Sequence, residues 1–392
     1  MTFEPPPSPD RHRSAAPRIA VACPGLGHIH RGIEAWALDL AKGLRRAGTA
    51  VDLYGGKAAP AVEPIGCFRR TEPASIRLAA VAWHLGGWRY GMGSPYEVEE
   101  TSFAFNLWRR IRGTHDILHV QDPHVAALLD SAHKRGLSRA RVIYANGTGE
   151  PAAVMRRFTH LQLLTPAAAA AWEPQRPSSQ HLHTIPNFID TDAFIPGDKA
   201  AARAALGLPA DATILLCCAA IRRVHKRIDV LLRAFAQARR PNDNVLLVIA
   251  GGREPDSDAI MSEGKAALGD AVRFMVNVPR DEIGRLYRAA DLFVMPSLFE
   301  MFGIVLIEAL ACGLPVLCND NADFRYVVGP AGLFHDLTQV DGFAAALRDA
   351  INSHAYTALI PNARQHAVEH FSEPVVIRQI TAMYGTTMRA AS

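Results

Sequence analysis

The sequence predicts an α/β protein built from two doubly wound, parallel-sheet domains. Three observations carry that prediction. The chain has 392 residues, more than one typical core holds. Short apolar runs alternate with amphipathic helical stretches, the pattern of a parallel sheet covered on both faces. The alternation then restarts after the break Ile195-Pro196-Gly197-Asp198. The expected division is a tail over 1–16, a first domain over 17–194 and a second domain over 195–372.

In the first domain, residues 18–23 form an apolar strand running into a glycine-rich loop, Pro24-Gly25-Leu26-Gly27-His28-Ile29-His30-Arg31-Gly32. A helix follows over 33–47, stopped at Gly48, and 51–54 make the next strand. Further strands are expected over 117–120, 141–145, 161–164 and 184–187, with a helix over 125–135. The alanine run 167–171 reads as helical. In the second domain, strands are expected over 214–219, 245–250, 272–275, 292–295 and 315–318. Helices are expected over 228–238 and 281–290, and from 304 onward. No internal repeat of short period is found.

The hydrophobic fraction of 49% is ordinary for a globular protein. No run reaches the ~18 apolar residues of a membrane span. Residues 1–17 are rich in Pro, Arg and Ser and lack the apolar run of a signal peptide, so they read as a disordered tail. Six cysteines show no metal-ligand spacing. Cys23, Cys217 and Cys218 lie inside apolar strands, as core thiols of a cytoplasmic protein do. The net charge is +4, with 22 Lys/Arg against 16 Asp/Glu (+6) in residues 1–190 and 20 against 22 (−2) beyond. A mildly basic first half fits an anionic acceptor or peripheral contact with an anionic lipid surface. The plainer alternative is solvated Arg on helix faces. No nucleic-acid partner is expected.

The most informative stretch is 296–315, PSLFEMFGIVLIEALACGLP, where Glu300 and Glu308 are the only charges between Asp291 and Asp320. A carboxylate in such surroundings is costly unless something binds it. The stretch reads as a loop carrying Glu300, a tight turn at Gly303 and a helix from 304, with Gly313 and Pro315 as stop signals. The helix start offers free N–H groups and the positive end of a dipole to an anion. A phosphate at the turn, a sugar hydroxyl at Glu300 and a ribose diol at Glu308 would satisfy all three. The alternative is a buried helix with one capping acid and one ion-paired acid.

This arrangement resembles the E-x7-E motif of retaining glycosyltransferases of family 4. Their GT-B fold sets two Rossmann-like domains face to face across a cleft. The resemblance spans roughly residues 17 to 385 and is most specific over 286–318. It implies a nucleoside-diphosphate sugar as donor, held by the second domain, and a terminal helix over 373–390 that packs back onto the first. Glu300, Lys226 and Arg222 are the implied catalytic residues, the two cations clamping the diphosphate. The spacing from Arg222 to Lys226 is shorter than usual, and Arg223 is the alternative. Glu308 would hold the ribose, and the main chain of Phe302, Gly303 and Ile304 the sugar and phosphate. Gly251 and Val278 would face the base.

The family places a Gly-Gly-x-Glu at the first helix start. Here it is Arg31-Gly32-Ile33-Glu34, so Gly32 is kept as a donor contact and Arg31 replaces a glycine. The acceptor enters from the first domain. His28 and His30, two apart with no Cys or carboxylate nearby, read as acceptor-contacting or surface groups rather than metal ligands. His119 is either acceptor-contacting or a hydrogen-bonded core residue. Asn146 stands where many members carry a His that reaches the donor sugar, and Asn cannot act as a base. Asp190-Thr191-Asp192 and Asp256-Ser257-Asp258 have a D-x-D form but read as loop caps. With cationic clamps in place, no metal and no other cofactor is expected. The acceptor stays open: a lipid-linked glycan, a polysaccharide or a small molecule. A nucleotide-sugar 2-epimerase and a non-catalytic GT-B scaffold are the rival readings.

Overall fold

The computed structural model describes residues 16–29 and 32–389. The expected tail lies outside them except for residue 16, as do His30, Arg31 and residue 390. Two all-parallel sheets organise the chain. The first takes strands β1 (Ile19–Cys23), β2 (Val51–Gly55), β3 (Glu63–Pro64), β4 (Ile117–Val120), β5 (Arg141–Ala145), β6 (His160–Leu163) and β7 (His181–Thr184). Their spatial order is β3-β2-β1-β4-β5-β6-β7. The second takes β8 (Thr213–Cys218), β9 (Val245–Gly251), β10 (Val272–Val276), β11 (Leu292–Val294), β12 (Val316–Asn319) and β13 (Gly332–His335), in the order β10-β9-β8-β11-β12-β13. This is the two-domain GT-B architecture.

The central strands read as unbroken apolar runs because helices cover both faces of each sheet. All five residues of β1, Ile-Ala-Val-Ala-Cys, are buried. One face of the first sheet packs Trp36 and Leu40 of the helix Gly32–Arg46, and the other packs Phe103 and Leu107 of the helix Pro95–Ile111. In each sheet the strand order reverses once, between β1 and β4 and between β8 and β11. Ligands of open α/β sheets bind beyond the carboxyl ends of the strands at such reversals. The loops after β1, β4, β8 and β11 are therefore the ones to inspect.

The chain returns to its first domain at the end. Ile189 and Ser372 form a parallel bridge, and the helix Glu373–Arg389 follows. It buries Val376, Ile377, Ile380 and Tyr384 in the same core as Ile19, Val21 and Trp36. Arg141, at the start of β5, donates to the carbonyls of Thr387 and Met388.

Several regions differ from expectation, among them residues 319–370, which carried no expected element and hold β13 and three α-helices. The strand expected at 184–187 is His181–Thr184. Its ladder closes with Ile185 N donating to Leu163 O (2.9 Å), and Pro186 has no N–H to continue it. Residues 56–116 carried no expected element, yet they hold the helices Pro73–His84 and Pro95–Ile111 and the 3-10 turn Gly87–Tyr90. The first of these helices buries only Ser75, Ala79 and Ala82, so it shows no apolar stripe of ordinary width. Among the described residues, no helix is long and apolar enough to cross a membrane.

Candidate active site

The loop from β8 to the helix Ile228–Ala238 carries Lys226 between two non-glycine residues of left-handed backbone, His225 (φ +70°) and Arg227 (φ +51°). Such conformations cost of order 1–3 kcal/mol and persist where surrounding contacts enforce them. Here Arg227 donates to the carbonyls of Pro296 (3.0 Å) and Thr338 (3.1 Å), tying its loop to the one after β11. Lys226 Nζ then reaches Glu300 Oε1 at 2.5 Å, and His225 Nε2 lies 3.4 Å from Glu300 Oε2. Glu300 thus sits between two basic groups.

Its loop is held from below. The side-chain amides of Asn319 and Asn321 donate to Leu298 O at 3.2 and 2.8 Å. The turn closes at Gly303, whose φ of +78° suits glycine, and the helix Ile304–Ala311 starts at once. The Phe302 ring points into the core, 5.5 Å from the Phe371 ring, so this residue offers its main chain to the site. Of the two arginines weighed, Arg223 turns to Glu263 (2.6 Å) and Asp229 (3.7 Å). Arg222 makes no ion pair among the described residues, and its buried Nε has no partner.

Glu308 is buried one turn along the helix, with 5% exposure. Tyr287 O–H donates to Glu308 Oε2 at 2.8 Å, and Arg280 Nη1 lies 3.9 Å from Oε1. Burial raises its pKa above the usual carboxylate range, with Arg280 and Tyr287 opposing the shift. The same Arg280 donates to Asp39 of the first domain (3.2 Å) and so ties the domains together beside Glu308. Gly251 and Val278 come together next to this point, since Asn277 N donates to Gly251 O at 2.9 Å. A Cβ on Gly251 would stand 1.7 Å from Ala219 O, so only glycine lets β8 and β9 end this closely.

The first domain faces this site through its own loops. A Cβ on Gly149, after β5, would stand 3.1 Å from Met301 Sδ, which brings the Asn146 loop beside the Glu300 loop. Asn146 Oδ1 accepts from Gly149 N at 3.2 Å and shapes that loop. Gly32 opens its helix with free space over its Cα. His28, after β1, is neither on the surface nor free: its Nε2 lies 2.6 Å from Glu99 Oε1, while Arg70 binds the other Glu99 oxygen. Arg70 also lies 3.9 Å from the Tyr96 ring centre. Tyr96 O–H donates to Asp122 at 3.4 Å. Beside them burial and the neighbouring Asp122 raise Glu100 to about 11, so it is protonated. His28 Nδ1, Arg70 Nη1 and Glu100 Oε1 are buried without hydrogen-bond partners.

His119 requires a correction. It is fully buried, with Nδ1 2.8 Å from Tyr384 O–H and Nε2 2.9 Å from Gln162 Oε1. Burial lowers it to about 3. With both nitrogens occupied, it is a core residue tying β4 to the terminal helix, and it has no atom left for an acceptor. Asp190 closes its own turn, its Oδ1 accepting from the amides of Asp192 (3.0 Å) and Ala193 (3.2 Å), whereas Asp256 bridges two loops, its Oδ2 accepting from the amide of Arg223 (2.9 Å). Sequence reasoning missed His225, Tyr287 and Arg280. The basic run after β8 signalled the first, but nothing local pointed Arg280 at Glu308.

Comparisons with known proteins bear on the family and the fold. Residues 198–366 match the family described as "Glycosyl transferases group 1". D-inositol 3-phosphate glycosyltransferase 1 of Catenulispora acidiphila is 28% identical over 95% of this chain and 97% of its own length. The D-inositol 3-phosphate glycosyltransferase of Rhodococcus opacus is 33% identical over 62% of this chain and 58% of its own. Among solved structures, sucrose-phosphate synthase from Thermosynechococcus elongatus superposes with a TM-score of 0.72 at 20% identity, covering 96% of this chain and all of that one. Anabaena Alr3699/HepE, solved in complex with UDP and glucose, gives 0.72 at 16% identity, covering 94% of this chain and all of that one. Residues 198–366 therefore carry the segment described for the group 1 glycosyl transferases, in a chain whose two domains have the GT-B fold.

Proposed function

We propose that this glycosyltransferase moves a sugar from a nucleoside-diphosphate sugar to an acceptor hydroxyl, with retention at the anomeric carbon and without a metal. One observation carries the reading: Lys226 and Glu300, 2.5 Å apart, stand at the N-terminal end of the helix that holds Glu308. Relatives solved with UDP or UDP-glucose support a donor of that class. The ribose diol would bond Glu308 near Arg280. The diphosphate would lie on the amides at the start of the helix Ile304–Ala311 and draw Lys226 and Arg222 to itself. Glu300, released from Lys226, would take hydroxyls of the transferring sugar and face the positive charge that grows on its anomeric carbon. Fixed cations stabilise the leaving diphosphate only as its charge builds, which is where they accelerate the reaction.

In this mechanism the departing phosphate oxygen takes the acceptor proton on the face it leaves, so no protein base is assigned. Asn146, beside Met301, is left to hydrogen-bond a hydroxyl. Metal independence rests on the two cations, on the bonding of Asp190 within its own turn and on that of Asp256 to the Arg223 amide of another loop. The test is turnover with a panel of nucleoside-diphosphate sugars and acceptors, with and without chelator. Transfer with retention in excess chelator supports the reading. Epimerisation of the donor, or binding without turnover, selects a rival. Full loss in chelator with rescue by magnesium or manganese overturns metal independence.

A further inference from the structure

The helix Pro73–His84 faces the wrong way for an isolated soluble protein. It packs through Ser75, Ala79 and Ala82 and turns Ile76, Val81 and Trp83 to solvent, each more than half exposed. Leu85 (81% exposed) and the 3-10 turn Gly87–Tyr90, with Trp88 and Tyr90 (75%), extend the same patch. Single exposed apolar residues are ordinary. A run of them on one helix and the turn that follows marks an interaction surface.

The charge around the patch selects its partner. Residues 65–100 hold Arg69, Arg70, Arg77 and Arg89 against Glu72, Glu97, Glu99 and Glu100, but Glu99 is taken by His28 and Arg70, and Glu97, beside Trp88, accepts from the amide of Gly93. Arg69 already binds Glu72 (2.7 Å). Arg77 and Arg89 have no ion pair among the described residues, and Arg89 lies 4.9 Å from the Trp88 ring centre. A second copy docked symmetrically on this patch would set these arginines against each other, with only Glu97, already bonded to Gly93 N, beside Trp88 to meet them. An anionic bilayer would meet them with headgroup charge and take the Trp and Tyr rings at its interface. The patch also ends at the cleft. Thr101 Oγ1 donates to Gly91 O at 2.6 Å and lies 2.8 Å from Nε2 of His124, which follows β4.

We propose that residues 73–90 dock this protein on an anionic lipid surface, with the mouth of its cleft held at the membrane. Docking stands on its own. Its consequence, an acceptor borne on a lipid, rests on the glycosyltransferase reading.

The experiment is co-sedimentation of the full chain with vesicles of phosphatidylcholine alone and of phosphatidylcholine with phosphatidylglycerol. Thermal stabilisation by nucleoside-diphosphate sugars is read in parallel. Binding is expected only to the anionic vesicles. It should fall about fivefold for each of Arg77→Gln and Arg89→Gln, and about tenfold or more for Trp83→Ser with Leu85→Ser. These side chains are exposed, so the variants should keep the wild-type melting midpoint and response to donor. Equal binding to both vesicle types, none to either, or variants that bind like wild type would overturn docking. So would a solution dimer that Trp83→Ser dissolves, since the patch would then belong to a second copy. Vesicle binding by a protein that no nucleotide sugar stabilises would keep docking and count against the donor reading instead.

Discussion

The two faces of the cleft are built on opposite plans. On the second domain, charged groups stand on neighbouring loops and stay partly open: the Lys226 and Glu300 side chains are 20% and 11% exposed. On the first, Glu99 is sealed against His28 and Arg70, and Glu100 is held protonated next to Asp122. The open face can exchange partners at little cost, because water and ligand both reach its charges. The sealed face has its charges settled before any ligand arrives. Under the proposed mechanism, catalytic electrostatics concentrate on the second domain, and the first contributes shape and a fixed field.

Four experiments bear on that contrast, from the largest expected effect to the smallest. Lys226→Ala removes a cation from the diphosphate and should lower kcat/KM by ~2–4 kcal/mol of transition-state stabilisation. Activity within threefold of wild type would remove Lys226 from the mechanism. Glu99→Gln on the sealed face should act on folding instead. It leaves a mostly buried Arg70 without its carboxylate, and about 2–3 kcal/mol of stability should go in urea unfolding. A drop in kcat at unchanged stability would show that this face takes part in the chemistry.

The two motif acids should fail in different ways. Glu308 is assigned to the ribose, a contact present in ground and transition states alike, so Glu308→Gln should raise KM. Glu300→Gln removes charge near the reacting carbon and should lower kcat. Steady-state kinetics beside nucleoside-diphosphate affinity decides between them, and the reverse pattern would turn the donor around. The smallest effect concerns pH. Glu100 titrates at about 11 in the folded chain against 4.5 ordinarily. Between those values the folded protein holds a proton the unfolded chain has released. Its contribution to stability is therefore full below 4.5 and declines as pH rises. Glu100→Gln abolishes this titration, so the variant should gain roughly 1 kcal/mol on wild type between pH 5 and pH 6 in urea midpoints. An unchanged gap would mean that Glu100 is ionised in the fold.

The same contrast explains what was legible in the sequence. Buried parallel strands such as Ile214–Cys218 announce themselves as apolar runs, and Glu300 and Glu308 stood out because nothing near them in sequence is charged. Both signals are local. The first-domain face is not local: it joins residues 28, 70, 96, 99, 100 and 122, and no short window holds more than two or three of them. His119, in an expected strand, stayed open between acceptor contact and a core position because its partner Tyr384 lies 265 positions away. The helix Pro73–His84 escaped because its buried side is made of small residues and its large ones face outward, the reverse of the usual stripe. Arg280 was hidden by its position, since it opens a helix and reaches two domains at once.

The terminal helix Glu373–Arg389 has a consequence for how the protein is made. It completes the core of a domain whose other strands end near residue 184, so the first domain waits for the last segment to leave the ribosome. Domains often fold in order as they emerge, but here the second can close first while Ile19, Val21 and Trp36 still lack their cover. Burial of Val376, Ile377 and Ile380 contributes roughly 1.5–3 kcal/mol each, comparable together to the whole margin by which an average domain is stable. A nascent chain stopped at about residue 370 should therefore carry a folded second domain behind a first domain open to chaperones and proteases. Loss of the last twenty residues would cost the far end of the molecule before the near one.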